Sequence, residues 1–190
     1  MKHSKRKAEI YSAAVQLFKD RGYAAASMRD IAEAVGIEAS SLYSHIKSKE
    51  EILRDVCMKC SKLFAEGMAD ILDSDGTYLD KVKALVQLHI DIAVDYPSSV
   101  TVFNYEWKHL PADALEPFIN SRRAYEHSFR TLLKEGMDAG EFTTRSSRVV
   151  FNILISSTKW LHYYPREITN KELERLKSNT FSFLEAGLVN

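Results

Sequence analysis

Apolar residues recur three or four positions apart along nearly the whole chain, and strict alternation with polar residues is scarce, which is the period of helices rather than strands. Ile10, Ala14, Leu17 and Phe18 form one face of a first helix ending near Arg21, which Gly22 can close by a left-handed turn. Ser27 and Asp30 have the spacing of a capping box and open a second helix with Ile31, Ala32 and Val35 on its inner side. It stops at Gly36, whose missing Cβ permits a tight reversal. A third helix follows, from about Ala39 to His45.

Ser48 and Glu51 make a second capping box, opening a long fourth helix that Asp73-Ser74-Asp75-Gly76 breaks. Thr77 with Asp80 caps a fifth, which Pro97 ends. Val100, Phe103 and Trp107 mark a sixth, and Pro111 and Pro117 bracket an irregular entry to a seventh that stops at Gly140. An eighth spans about Ser146 to Tyr164, and Thr169 with Glu172 caps a ninth. The pattern predicts an all-α protein of about nine helices in two domains, 1–48 and 49–190.

The two short helices joined at Gly36 and braced by a longer one have the arrangement that presents a helix to a major groove. The third supports this, because Leu42 is its one plain core residue among small hydroxyls and an aromatic. Small side chains let a helix lie deep, so Ser40 and Ser41 can reach base edges while Tyr43 and His45 reach flanking phosphates. Serines discriminate weakly, so Arg29 and DNA shape are expected to share the sequence choice, with Lys49 at a helix start adding a phosphate contact.

The ordered segments Ser27-Met28-Arg29-Asp30-Ile31-Ala32, Val35-Gly36-Ile37, Ser41-Leu42-Tyr43-Ser44-His45-Ile46 and Ser48-Lys49-Glu50-Glu51-Ile52-Leu53 resemble the tetracycline-repressor (TetR) family. The resemblance spans roughly residues 8 to 53 as motif and agrees with the helix order over the rest. It implies a homodimeric, ligand-responsive repressor bound to double-stranded operator DNA. It places Ser27, Tyr43, His45 and Lys49 at backbone contacts and Ser40, Ser41 and Arg29 nearer the bases. One position departs from it: Glu38 stands where the family usually caps the third helix with serine or threonine, and a carboxylate there caps less well and repels phosphate.

Composition changes this picture little. The 190 residues balance 26 cationic against 26 acidic side chains, so affinity for phosphate has to be local. Lys2, Lys5, Arg6 and Lys7 precede any acid and suggest either a solvated start or a basic arm along the DNA. No apolar run is long enough for a bilayer and no signal-peptide core follows the cations, so a cytoplasmic protein without membrane partners is expected. GxSxG, HExxH, GxGxxG and GxxxxGKS patterns are absent from the sequence, and neither catalysis, a metal nor a cofactor is expected. Cys57 and Cys60 keep a redox-responsive regulator open as an alternative, though inside a helix such thiols more simply fill space. A helical protein-interaction module without DNA binding is the other.

Beyond residue 49 the aromatic content exceeds what a small bundle requires. Phe103, Trp107, Tyr125, Phe129 and Trp160 can wall an apolar pocket in which His89, Arg122 and Ser157 orient a small-molecule effector, although any one aromatic at helical spacing ordinarily just packs. The run Tyr163 to Thr169 before a Leu-rich ninth helix is similar to regulators responding to acyl-CoA thioesters. Apolar residues occupy more than one stripe of the eighth helix. Val150, Leu154 and Leu161, with Phe181 and Leu184 of the ninth, are therefore expected at a two-fold dimer interface.

Overall fold

The computed structural model describes residues 2–163 and 168–189, and the side chains of all of these except 2–4, 162 and 163. Among the described residues there are nine α-helices and no strand. They are α1 (Lys2–Arg21), α2 (Met28–Ala34), α3 (Ala39–Tyr43), α4 (Lys49–Asp73), α5 (Tyr78–Asp95), α6 (Pro97–Tyr105), α7 (Ala112–Asp138), α8 (Ser147–Ser156) and α9 (Asn170–Leu188), with 3₁₀ turns at Trp107–His109 and Lys159–Tyr163. The segment Tyr164 to Glu167, on which the thioester resemblance largely rests, lies outside the described residues.

Local chemistry explains most boundaries. Ser27, Thr77 and Thr169 each accept from the amide three residues on, and the acid at that position reaches back to the cap, so two orphan amides are satisfied at once. Several boundaries differ from the sequence reading. Pro97 opens α6 directly after α5, as suits a residue whose missing N–H costs nothing in a first turn. Pro117 lies inside α7 rather than before it; buried Ala114 and Phe118 on either side hold the turn in place against its lost hydrogen bond. Helix α8 stops at Ser156, because the Ser157 and Thr158 hydroxyls donate to the Leu154 and Ile155 carbonyls at 2.6 and 2.9 Å and the chain tightens into 3₁₀ geometry.

Packing divides the chain into two compact units, Met1–Ser61 with Ser98–Ile119, and Lys62–Pro97 with Asn120–Asn190. A cut after residue 48 would therefore split the first of them. Inside that unit Gln16 accepts from Ser98 at 2.9 Å, the Tyr23 amide donates to Glu106 at 3.2 Å, and Arg54 grips both Asp113 oxygens at 2.7 and 2.8 Å. These tie α1 and α4 to α6 and the start of α7 across more than fifty residues of sequence.

In the second unit α5 buries Val82, Leu85, Val86 and Ile90 and packs against α8, α9 and the turn at 159–163. Lys177 of α9 pairs with Asp91 of α5 at 2.7 Å. The residues expected at a dimer surface face this core: Val150, Leu154, Leu161, Phe181 and Leu184 are all at most 6% exposed. The outward apolar side chains are instead Val149, Ile153, Trp160 and Phe183. The difference on α8 is one residue of register, about 100° around a helix. No helix among the described residues is long and apolar enough to cross a membrane.

Candidate nucleic-acid interface

The first unit builds its reading surface on three small anchors. Ile10, Ala14 and Phe18 of α1, a column at four-residue spacing, are fully buried together with Ile31 of α2. Gly36 takes φ +68°, and its amide and that of Ile37 donate back to Glu33 and Ala32 at 3.0 Å, so the chain reverses within two residues. Beyond that turn α3 buries Leu42 alone, and Ile46 just past it is 1% exposed. Ser40, Ser41 and Tyr43 point to solvent, Tyr43 at 56% exposure, and His45 is half-buried. Helix α3 is two residues shorter than the sequence suggests. The Ser44 hydroxyl and amide both take the Ser41 carbonyl, at 2.7 and 3.1 Å, which tightens the last turn.

Ser27 and Arg29 are exposed at the start of α2. Asp30 is held below the usual carboxylate range chiefly by the Ser27 hydroxyl and amide, with the Arg21 cation 3.7 Å away contributing less. Glu38 occupies the N-cap of α3 without a side-chain cap bond, as the sequence leads one to expect of glutamate there. Lys49 is half-buried: its ammonium donates to the Tyr23 and Ala26 carbonyls at 3.1 and 3.0 Å and lies 4.4 Å from the Tyr23 ring centre. The lysine expected at a phosphate thus fastens the start of α4 to the α1–α2 loop. Arg6 and Lys7 belong to α1 rather than to an extended arm. Arg6 donates to the Val35 carbonyl at 3.1 Å and Lys7 pairs with Glu51 at 3.4 Å.

The second unit brings three of the expected effector residues together. His89 Nε2 and the Tyr125 hydroxyl share a hydrogen bond of 2.7 Å. Phe64 stacks on the imidazole at 4.7 Å, and Phe129 and Phe151 continue the cluster edge to face. Protein surrounds the imidazole, yet both His89 and Tyr125 keep some accessible surface. Desolvation lowers the His89 pKa to about 4, so the ring is neutral. Phe64 was not singled out as an effector residue by the sequence; nothing in its helical spacing distinguishes a lining ring from a packing one.

The other expected effector residues lie elsewhere. Phe103 and Trp107 belong to the first unit, where they pack on Phe118 at 5.4 and 5.9 Å. Arg122 is exposed on α7, Trp160 is 45% exposed, and the Ser157 hydroxyl is engaged at the end of α8. A cleft of about 530 Å³ in this unit is lined by Leu72, Tyr78 and Leu132 as well as by Lys81, His127 and Glu135, an evenly mixed lining that contains none of the expected effector residues. Cys57 and Cys60 are both buried and form no disulfide, and burial pushes the Cys60 thiol up to about 12, so the Cys60 thiolate needed for redox chemistry is suppressed. No group of three or more metal-binding side chains occurs among the described residues.

Comparison with known proteins agrees with this geometry. Residues 10–56 match the model of bacterial regulatory proteins of the tetR family, and residues 75–164 that of a tetracyclin repressor-like C-terminal domain. The HTH-type transcriptional repressor KstR2 of Rhodococcus jostii is 30% identical over 163 residues, covering 83% of this chain and 78% of the relative. The solved structure of the ketosteroid transcriptional regulator KstR2 of Mycobacterium tuberculosis superposes with a TM-score of 0.90 at 20% identity, over 97% of this chain and 95% of that one. AibR in complex with isovaleryl coenzyme A and operator DNA gives 0.78 at 19% identity, over 94% and 97%.

Two outcomes are expected from these side chains. Lys49→Met should lower the unfolding free energy by about 1–3 kcal/mol, read from urea midpoints, because two carbonyls lose a charged donor. An unchanged midpoint would show that Lys49 is not a structural tie. For His89, the unfolded chain titrates near 6.5 and the folded one near 4, so between these values the unfolded state binds more protons. Stability should therefore fall as pH drops through that window, and His89→Gln should flatten the slope of unfolding free energy against pH there. Equal slopes in both proteins would refute the assignment.

Proposed function

This chain belongs to the TetR family of bacterial regulatory proteins, and on that premise we propose that it is a homodimeric repressor which releases a (pseudo)palindromic operator when a small apolar or acyl-CoA-like effector binds. Its relatives are transcriptional regulators, not enzymes, and a protein of this kind works on the chromosome, in the cytoplasm. The observation that carries the reading is α3: a five-residue helix held by Leu42 alone, with Ser40, Ser41 and Tyr43 facing out. In this reading Ser40, Ser41 and Arg29 approach base edges, while Ser27, Tyr43 and His45 grip the backbone.

The sensing end is the His89–Tyr125 pair with Phe64, Phe129 and Phe151. Neutral donor and acceptor groups set in aromatic rings suit an effector with an apolar body and a few uncharged polar groups. Of the neighbours' own descriptions, the steroid body of one and the isovaleryl end of the coenzyme A thioester in the other have that apolar character. Val149, Ile153, Trp160 and Phe183 supply the apolar face on which a second copy sits. Helix α4 runs unbroken from the unit that carries α3 into the unit that carries His89, so a ligand preferring one shape of the latter biases the former.

The test is retardation of labelled duplexes from the promoter of the chain's own transcription unit. Tyr43→Ala should weaken binding to all sequences alike. Acyl-CoA thioesters and steroid ketones, titrated in, should reduce operator affinity about 5- to 150-fold, a coupling of about 1–3 kcal/mol. Tyr125→Phe should blunt that response while leaving DNA affinity intact. No retardation by the wild-type protein would refute the function.

Dimer formation is checked separately by ultracentrifugation. Ile153→Glu should yield folded monomers with weakened operator binding, since a charge replaces an exposed apolar contact. A variant that stays dimeric would remove this face from the interface.

A further inference from the structure

We propose that Glu38 reads a base: its carboxylate accepts a hydrogen bond from the exocyclic amino group of a cytosine in the major groove of each operator half-site. The inference rests on α3 being the helix that enters the groove. Among the described residues Glu38 has neither hydrogen bond nor ion pair for its side chain, and it is exposed. Its backbone is fixed, with φ −66° and ψ 143°, and its carbonyl accepts from the Leu42 amide at 3.1 Å. The carboxylate therefore leaves from a defined point at the leading end of α3, the end that approaches base edges in a helix-turn-helix.

An unpaired carboxylate there is repelled by a polyanion and contributes nothing to the helix cap. It is compensated only by a donor on the DNA. In the major groove those donors are the amino groups of cytosine and adenine. Adenine sets the N7 acceptor beside its amino group, and guanine offers acceptors alone, so an acceptor-only side chain faces a lone pair at either. Cytosine's own major-groove edge carries a donor and no acceptor. The remaining outward groups of α3 are hydroxyls, which donate or accept and discriminate little, so Glu38 carries selectivity that they cannot.

The experiment is selection of bound duplexes from a randomised pool by the full-length protein, wild type against Glu38→Ala and Glu38→Gln. Neither change removes a structural contact, so both variants should keep the wild-type melting temperature. Wild type should select cytosine at one symmetric position in each half-site. Glu38→Ala should lose that preference, by roughly 5-fold or more, and keep the others. Glu38→Gln should shift it toward adenine, whose amino group and N7 match a side-chain amide. Base preferences identical in all three proteins, with affinity rising uniformly in the variants, would overturn the proposal and leave Glu38 a repulsive charge. A wild-type protein that selects no sequence at all would instead overturn the reading of α3 as a groove helix, and this proposal with it.

Discussion

The burial of Leu42 is the contact on which the reading surface depends. A helix of five residues is far below the length at which hydrogen bonding alone sustains it in water, and α3 has no side-chain cap to help. Its persistence is due to tertiary packing, with Leu42 fully enclosed and Ile46 following it inward. Full burial of one leucine is worth about 1.5–3 kcal/mol, one part of what offsets the roughly 1–2 kcal/mol per residue that fixing the backbone costs. Because one inward side chain suffices, the neighbouring positions are free of packing duty.

The same economy required a firm base beneath. Tyr23 packs edge to face with Phe18, stacks with His109 at 5.3 Å, and shares its carbonyl and ring with Lys49. Its amide reaches Glu106. One loop residue thus gathers α1, α4 and the 3₁₀ turn at Trp107–His109, and the first compact unit extends well past the motif that names the family. In the other unit the aromatic cluster performs a different task. Its rings strip hydration from a hydrogen-bonded pair, so His89 stays uncharged and the local chemistry is that of neutral partners.

The sequence made legible whatever is decided within a turn or two of chain. Ser27 with Asp30, Thr77 with Asp80, and the reversal at Gly36 follow from the hydrogen-bonding reach of single side chains and from one missing Cβ, and they stand where the pattern places them. The reading helix was visible for the same reason, since Leu42 is the lone apolar residue among hydroxyls. What periodicity could not reveal depends on partners distant in sequence. Arg54 and Asp113 lie 59 positions apart, and nothing local in either predicts that α7 begins in the same unit as the DNA-reading motif. Which of Val149 and Val150 faces inward is likewise settled by α5, because both are apolar and adjacent. The second role of Lys49 was also hidden: a cation at a helix start suggests phosphate, and its bonds to the Tyr23 and Ala26 carbonyls depend on a loop more than twenty positions away.

The two thiols of α4 have a practical consequence. Cys57 and Cys60 are the chain's only cysteines, both sit on the inward side of that helix, and at neutral pH Cys60 is almost wholly in the unreactive protonated form. A soluble alkylating reagent reaches them only in molecules whose α4 has momentarily lifted from its neighbours. The native chain therefore carries its own chemical clock for breathing of the helix that joins its two units, with no label to introduce and no surface thiol to confuse the reading.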